Sequence, residues 1–226
     1  GFLAKRLPEA DRAWVTLWRE ARTRPAQMLE SSELRKDTPH AREIVLYAIQ
    51  RLAGSDAGQA HRRWQSLREK YAFTPEQVLQ VERKIAMAAV WQHLPTAHAW
   101  LVEVPDAGVD DTVRAWRIRT AIADADWAAV VTHVEALPPD EARQEEWRYW
   151  RAVALEKTDR RIEAMDEYAQ LAKLRDYHGF LAADYLRWPY EMSNQPIVYT
   201  EEALQGMAQR PGFVRAHELY RAELLT

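Results

Sequence analysis

Apolar side chains recur along this chain at the spacing of helix faces, and no stretch alternates as a half-buried strand would. Trp147, Trp150 and Ala154 stand at i, i+3 and i+7, which places them on one side of a helix. Ile162, Met165, Tyr168 and Ala172 form a second such set. Val130, Val131 and Val134 form a third, after a helix carrying Trp116 and Ile118. Start signals divide these periodic stretches. Thr74-Pro75-Glu76-Gln77 supplies a capping hydroxyl, a proline for the first helical position and an amide that reaches back to the cap. Thr38-Pro39, Pro138-Pro139-Asp140-Glu141 and Thr200-Glu201-Glu202 mark further starts, the acids falling at the positive helix end. The pattern predicts helices near 8–22, 39–53, 57–70, 75–92, 95–103, 110–123, 126–136, 141–157, 160–173, 178–187, 201–209 and 212–225.

The connections are short, so successive helices are expected to pack antiparallel as hairpins. The clearest hairpin is 141–173, turning at Thr158-Asp159. There Trp147 and Trp150 are expected to be mostly buried against Met165 and Tyr168. Ala152, Leu155, Ala164, Tyr168 and Leu171 fall where a tetratricopeptide repeat places its packing residues, with Asp159 where the turn glycine is usual. The expected fold is all-α: a right-handed superhelical array of antiparallel helix pairs, a tetratricopeptide-like solenoid. Residues 1–109 form its N-terminal superhelical segment, and 110–226 continue the same solenoid as a helical-repeat segment.

Composition narrows the function classes. Seven glycines in 226 residues fit a helical chain, because glycine is costly inside helices. A net charge of −3 gives no basic excess for nucleic acid. Only six of the 31 cations are lysine, so the helix surfaces are expected to carry Arg–carboxylate pairs. With no cysteine there is no disulfide, thiolate nucleophile or cysteine zinc site. The longest apolar run, Ile85 to Trp91, is too short to span a bilayer, so no transmembrane segment is expected. No leader pattern opens the chain, and Gly1-Phe2 reads as a trimmed start.

Candidate chemistry is sparse. The histidines are His40, His61, His93, His98, His133, His178 and His217; the nearest pair, His93 and His98, straddles Pro95 without metal-ligand spacing. The acid pairs Asp110-Asp111, Asp124 and Asp126, Asp140-Glu141, Glu145-Glu146 and Glu201-Glu202 mostly stand at helix starts, where capping explains them. No triad order, nucleophile elbow, P-loop or dinucleotide fingerprint occurs. No catalytic, cofactor-binding or metal residue is assigned, and no cofactor is expected. The ten tryptophans are the unusual feature: Trp14, Trp18, Trp64, Trp91, Trp100, Trp116, Trp127, Trp147, Trp150 and Trp188. An indole can stack on a sugar, but most of these hold apolar helix positions and are expected in the core. Trp188, before Pro189-Tyr190, reads as a loop residue.

Four linked motifs carry a resemblance. They are Trp116-Arg117-Ile118-Arg119-Thr120-Ala121 with Asp126-Trp127; Leu137-Pro138 with Trp147-Arg148-Tyr149-Trp150-Arg151-Ala152; Tyr168-Ala169-Gln170-Leu171-Ala172; and Tyr177-His178-Gly179-Phe180-Leu181-Ala182-Ala183-Asp184, followed later by Arg215-Ala216-His217-Glu218-Leu219-Tyr220. In this order they resemble the superhelical, non-catalytic region of the soluble lytic transglycosylases. The likeness is fullest over 116–222 and rests on helical pattern and Arg51-Leu52-Ala53 before that.

The resemblance implies a periplasmic cell-wall enzyme, a lyase that cleaves MurNAc–GlcNAc bonds of peptidoglycan and leaves 1,6-anhydro ends. Its single catalytic glutamate would belong to a C-terminal lysozyme-like domain. Glu30-Ser31-Ser32 is the only Glu-Ser in the chain and reads as a loop, so no catalytic residue transfers and the chain alone is expected to be inactive. The apolar stretch Phe213 to Leu225 has no C-cap signal, as in a chain truncated before that domain. The partners implied are glycan strands, the lysozyme-like domain and cell-wall proteins. The alternative is an independent tetratricopeptide-like adaptor binding proteins in its groove.

Overall fold

The structure is a computed structural model that describes residues 9–192, 196 and 198–222. Among these residues every regular element is helical. The α-helices are α1 (Glu9–Thr23), α2 (Pro25–Met28), α3 (Pro39–Ala53), α4 (Ala57–Lys70), α5 (Pro75–Trp91), α6 (Ala97–Glu103), α7 (Asp111–Ala123), α8 (Trp127–Glu135), α9 (Pro139–Ala142), α10 (Glu145–Lys157), α11 (Arg161–Leu171), α12 (Tyr177–Leu186), α13 (Glu201–Ala208) and α14 (Pro211–Arg221). Short 3-10 turns occupy Ser32–Arg35 and Asp106–Gly108. The ends of the first and last predicted helices, and of the apolar stretch to Leu225, lie outside the described residues.

Start signals act as their chemistry dictates. The Thr74 hydroxyl accepts from the Gln77 amide while the Gln77 side chain accepts from the Thr74 amide, a closed capping box. Thr38, Asp110, Asp126 and Thr200 each accept a backbone N–H three residues on. The proline-rich start at 138 opens only the four-residue α9. The chain breaks at Arg143 and Gln144 before α10, so the predicted 141–157 helix is two elements.

Helices pack on their sequence neighbours: α3 on α4, α5 on α6, α7 on α8, α10 on α11, and α12 against both α10 and α11. Consecutive pairs then join, α3 to α5, α6 to α7 and α8 to α10. This is a superhelical stack of helix pairs. Three of the turns between pair members are built alike. His93, Ala125 and Asp159 take left-handed φ values of 52, 54 and 61°. After each, the next amide bonds five residues back, Leu94 to Ala89, Asp126 to Ala121 and Arg160 to Leu155, which closes a Schellman motif on the helix end. Arg187 repeats it after α12.

The buried side chains fall into two clusters. One runs from Leu17 to Val113, with α3 buried through Ala41, Ile44, Val45, Ala48, Ile49 and Leu52. The other runs from Ile118 to Ala183. On α11 the buried stripe is Ala164, Tyr168 and Leu171. Ile162 is 81% exposed and Met165 46%, so the side of α11 predicted from 162, 165, 168 and 172 is only half buried. Steps of three drift backwards by about 60° each, so 162 and 165 rotate away from 168, whereas 164, 168 and 171 stay aligned. Trp147 is 4% exposed, as expected, but Trp150 is only partly buried. In α13 and α14, which pack on each other, every described residue is exposed.

Candidate functional site

The histidines come together differently from their sequence order. His98 of α6 meets His133 of α8, with Nε2 atoms 3.1 Å apart and rings edge to face. Burial pushes His133 below the ordinary imidazole range, helped by His98 and Arg117, while Asp126 opposes. His93 instead makes the α5–α6 turn. Among the described residues no three His, Asp or Glu side chains form a metal-binding group.

The acids have structural partners. Asp110 and Asp126 are caps. Glu141 accepts from Arg114 at 2.8 Å and Glu146 from Arg119 at 3.0 Å. Glu30 pairs with Arg63, and Ser31 caps the 3-10 turn that follows it, a loop role as expected.

The tryptophans divide. Trp64 is wholly buried, and Trp147 nearly so. Trp14 stacks on His40, and Trp18 meets Tyr47, across the α1–α3 contact. Trp100 of α6 stacks on His61 of α4, centroids 4.1 Å apart, beside a cavity of about 250 Å³ that also touches the Arg68–Glu82 pair. Trp188 is exposed after α12, as its loop position predicts.

Trp91 is 65% exposed although it ends a largely buried helix. Its ring meets Trp116 of α7 edge to face at 5.1 Å. The Arg119 guanidinium then lies over both Trp116, at 5.5 Å, and Trp147 of α10, at 5.1 Å. A continuous aromatic and cationic line thus crosses α5, α7 and α10. Beside it a cleft of about 280 Å³ is lined by Thr112, Arg119, Glu141, Gln144 and Glu146 among others. Flat apolar rings next to mixed hydrogen-bonding groups suit a ligand with both kinds of surface.

No known protein-family profile matches the chain. It is 23% identical over 183 residues, 80% of its length, to the soluble lytic murein transglycosylase of Escherichia coli strain K12. It superposes on the inactive-mutant structure of the lytic transglycosylase Slt from Pseudomonas aeruginosa with a TM-score of 0.76 and 26% identity, over 98% of this chain and 36% of that one. The chain is similar in sequence and fold to the soluble lytic transglycosylases. The 70-kDa soluble lytic transglycosylase bound to bulgecin A shares the fold, with a TM-score of 0.65 and 21% identity over 99% of this chain and 36% of that one. The chain spans about 28% of the length of the curated relatives it matches.

In this chain the residues that carried the resemblance serve packing. Arg148 and Arg151 both donate to Glu167, at 2.6 and 3.0 Å, and Ala152 is buried. Gly179 is required by close approach: a Cβ there would lie 2.3 Å from the Leu174 carbonyl oxygen. Ala182 and Ala183 are buried behind it. Trp91 had a readable signal that apolar counting passes over. It shares a side of α5 with Gln80 and Lys84, at i, i+4 and i+11, which are both exposed.

Proposed function

We propose that this chain is the non-catalytic superhelical scaffold of a peptidoglycan lytic transglycosylase. The parent enzyme cleaves MurNAc–GlcNAc bonds to 1,6-anhydro ends in the periplasm, using a lysozyme-like domain that the scaffold positions. The observation that carries this reading is the sequence match to a murein transglycosylase over 80% of the chain. Superposition on Slt over 98% of the chain supports it. Residues 1–109 and 110–226 are two stretches of one tetratricopeptide-like solenoid. The recurrence of the left-handed turn residue at 93, 125 and 159 supports that repeat, close to the usual 34-residue period. No helix among the described residues is long and apolar enough to cross a membrane.

The chain itself is inert in this reading, because the catalytic glutamate belongs to the lysozyme-like domain, while Glu141, Glu146 and Glu167 are each held by an arginine and Asp110 caps a helix. The test is a muropeptide digest. Purified sacculi are incubated with this chain and, separately, with the protein as its own cell makes it. Anhydro products are expected from the cellular protein and none from this chain. Anhydro products from the chain, or none from the cellular protein, would overturn the reading.

A further inference from the structure

A sugar ring presents two chemically different surfaces. Its axial C–H groups make an apolar face, and its rim carries hydroxyl or acetamido groups. A site for one therefore needs a flat aromatic surface held still, with donors and acceptors at its edge. The line from Trp91 to Trp147 offers both. Trp91 faces solvent from the polar side of α5, yet it is braced by the edge-to-face contact with Trp116. Arg119 is held between two indoles and tied to Glu146 at 3.0 Å, so its guanidinium edge is fixed before any ligand arrives. Thr112 and Gln144 add a hydroxyl and an amide at the same cleft. At about 280 Å³ this cleft sits just under the roughly 300–1,000 Å³ of enclosed ligand pockets, which suits one unit of an extended strand rather than a whole small molecule.

The charge around the line selects among polymers. Asp111, Glu141 and Glu146 border the cleft, and Arg114 and Arg119 are each already paired with one of these glutamates. A polyphosphate backbone would meet acids rather than free cations there, so a nucleic acid fits poorly. Hydroxyl and acetamido groups can donate to the carboxylates and accept from the guanidinium, and they carry no charge to repel either.

We propose that Trp91, Trp116 and Arg119 form a stacking platform for an acetamido sugar of a peptidoglycan glycan strand. The platform rests on the cell-wall reading above and adds to it the face of the solenoid that touches glycan.

Two binding measurements test it: co-sedimentation with purified sacculi, and titration with the soluble tetramer of β-1,4-linked N-acetylglucosamine. The variants are Trp91→Ala, Trp91→Tyr and, as an exposed indole elsewhere, Trp188→Ala. Because Trp91 is mostly in solvent, Trp91→Ala should keep the wild-type melting temperature while binding both probes about tenfold more weakly, the scale of one lost aromatic contact. Trp91→Tyr should restore most of the affinity, and Trp188→Ala should bind like wild type. Equal binding by wild type and Trp91→Ala would overturn the platform while leaving the cell-wall reading intact, since glycan would then be held elsewhere. A wild-type chain that binds neither probe would also overturn it, and the muropeptide digest would still decide the broader reading. Displacement from sacculi by free stem peptide, and not by the tetramer, would overturn the saccharide in favour of a peptide site.

Discussion

The two core clusters hold their helices together by different means. In the first, the links between helix pairs are largely neutral. The Gln92 side chain, just past α5, accepts from the Ala57 amide at 2.9 Å and donates to the Ala53 carbonyl at 2.7 Å, which clamps the α3–α4 turn. The Tyr71 hydroxyl donates to the Leu34 carbonyl, and Trp64 lies wholly buried against Phe73. In the second, charge does the joining. Glu167 of α11 is 13% exposed and takes both Arg148 and Arg151 of α10, and Arg151 reaches on to Glu135 of α8. Ion pairs occur in the first half too: Arg63–Glu30 and Arg83–Asp110 are more exposed and contribute little, while Arg68–Glu82 adds one pair with a mostly covered carboxylate between α4 and α5. The difference teaches that one repeat architecture tolerates two kinds of joint. The neutral joint depends on shape, and the charged one on ionisation and salt.

The largest expected effect is therefore on shape. Trp64→Ala should destabilise the protein by about 3–5 kcal/mol, the usual cost of emptying a large buried aromatic site. Urea unfolding checks this, and the loss should change little with salt, since the only charged contact removed among the described residues is the long indole N–H bond to Glu82 at 3.4 Å. A loss below about 1 kcal/mol would place Trp64 among ordinary surface sites and remove the contrast between the clusters.

Much of this architecture was legible in the chain. The capping box at Thr74, the caps at Thr38, Asp126 and Thr200, and the buried Val130, Val131 and Val134 are local consequences of residue type and spacing, so sequence contains them. What escaped depends on partners distant in the chain. Ile162 and Met165 are apolar and helical, yet among the described residues no helix covers them, and periodicity cannot report a missing neighbour. The same limit hides the exposed apolar residues of α13 and α14, among them Leu204 and Phe213. The break at Arg143 went unread because the proline start at 138 sits only a few residues before the true helix. Of the candidate platform, the ten tryptophans and their ambiguity between core and sugar were visible. The sandwich of Arg119 between Trp116 and Trp147 needs three packed helices and was not.

A middle-sized effect should mark the charged joint. Glu167→Ala leaves Arg148 and Arg151 in a partly buried place without their shared carboxylate. Hydrogen bonds to charged groups are worth about 1.5–3 kcal/mol, and the guanidinium groups keep some access to water, so a loss of about 2 kcal/mol is expected. Thermal unfolding at several salt concentrations reads it. Unlike the Trp64 variant, wild type and Glu167→Ala should draw closer together as salt rises, because screening weakens the pair only where it exists. A gap that does not change with salt would mean that Glu167 acts by packing and that the two joints are of one kind.

The smallest effect lies where the clusters meet, at His98 and His133. The two imidazoles share one hydrogen bond at 3.1 Å, which requires at least one ring to be neutral. Around them Arg117 of α7 adds positive charge, and Asp126 at the start of α8 is the opposing acid. Burial first, then His98 and Arg117, hold His133 below its ordinary value, so the folded state favours the neutral ring. The sign follows. The unfolded chain takes up this proton near pH 6.5, before the folded protein does, so the contribution is complete above that pH and is lost as pH falls below it. His61 is also lowered by burial and tilts stability the same way, so the slope of wild type alone does not isolate the pair. His133→Gln keeps a group that can hydrogen-bond His98 but removes the proton uptake. Unfolding followed from pH 8 to pH 5 should therefore fall less steeply for His133→Gln than for wild type, with the two curves parallel above about pH 7. Identical slopes throughout would mean that His133 titrates as freely in the folded protein as in the unfolded chain, and the seam between the clusters would then be as indifferent to pH as the neutral joint around Trp64.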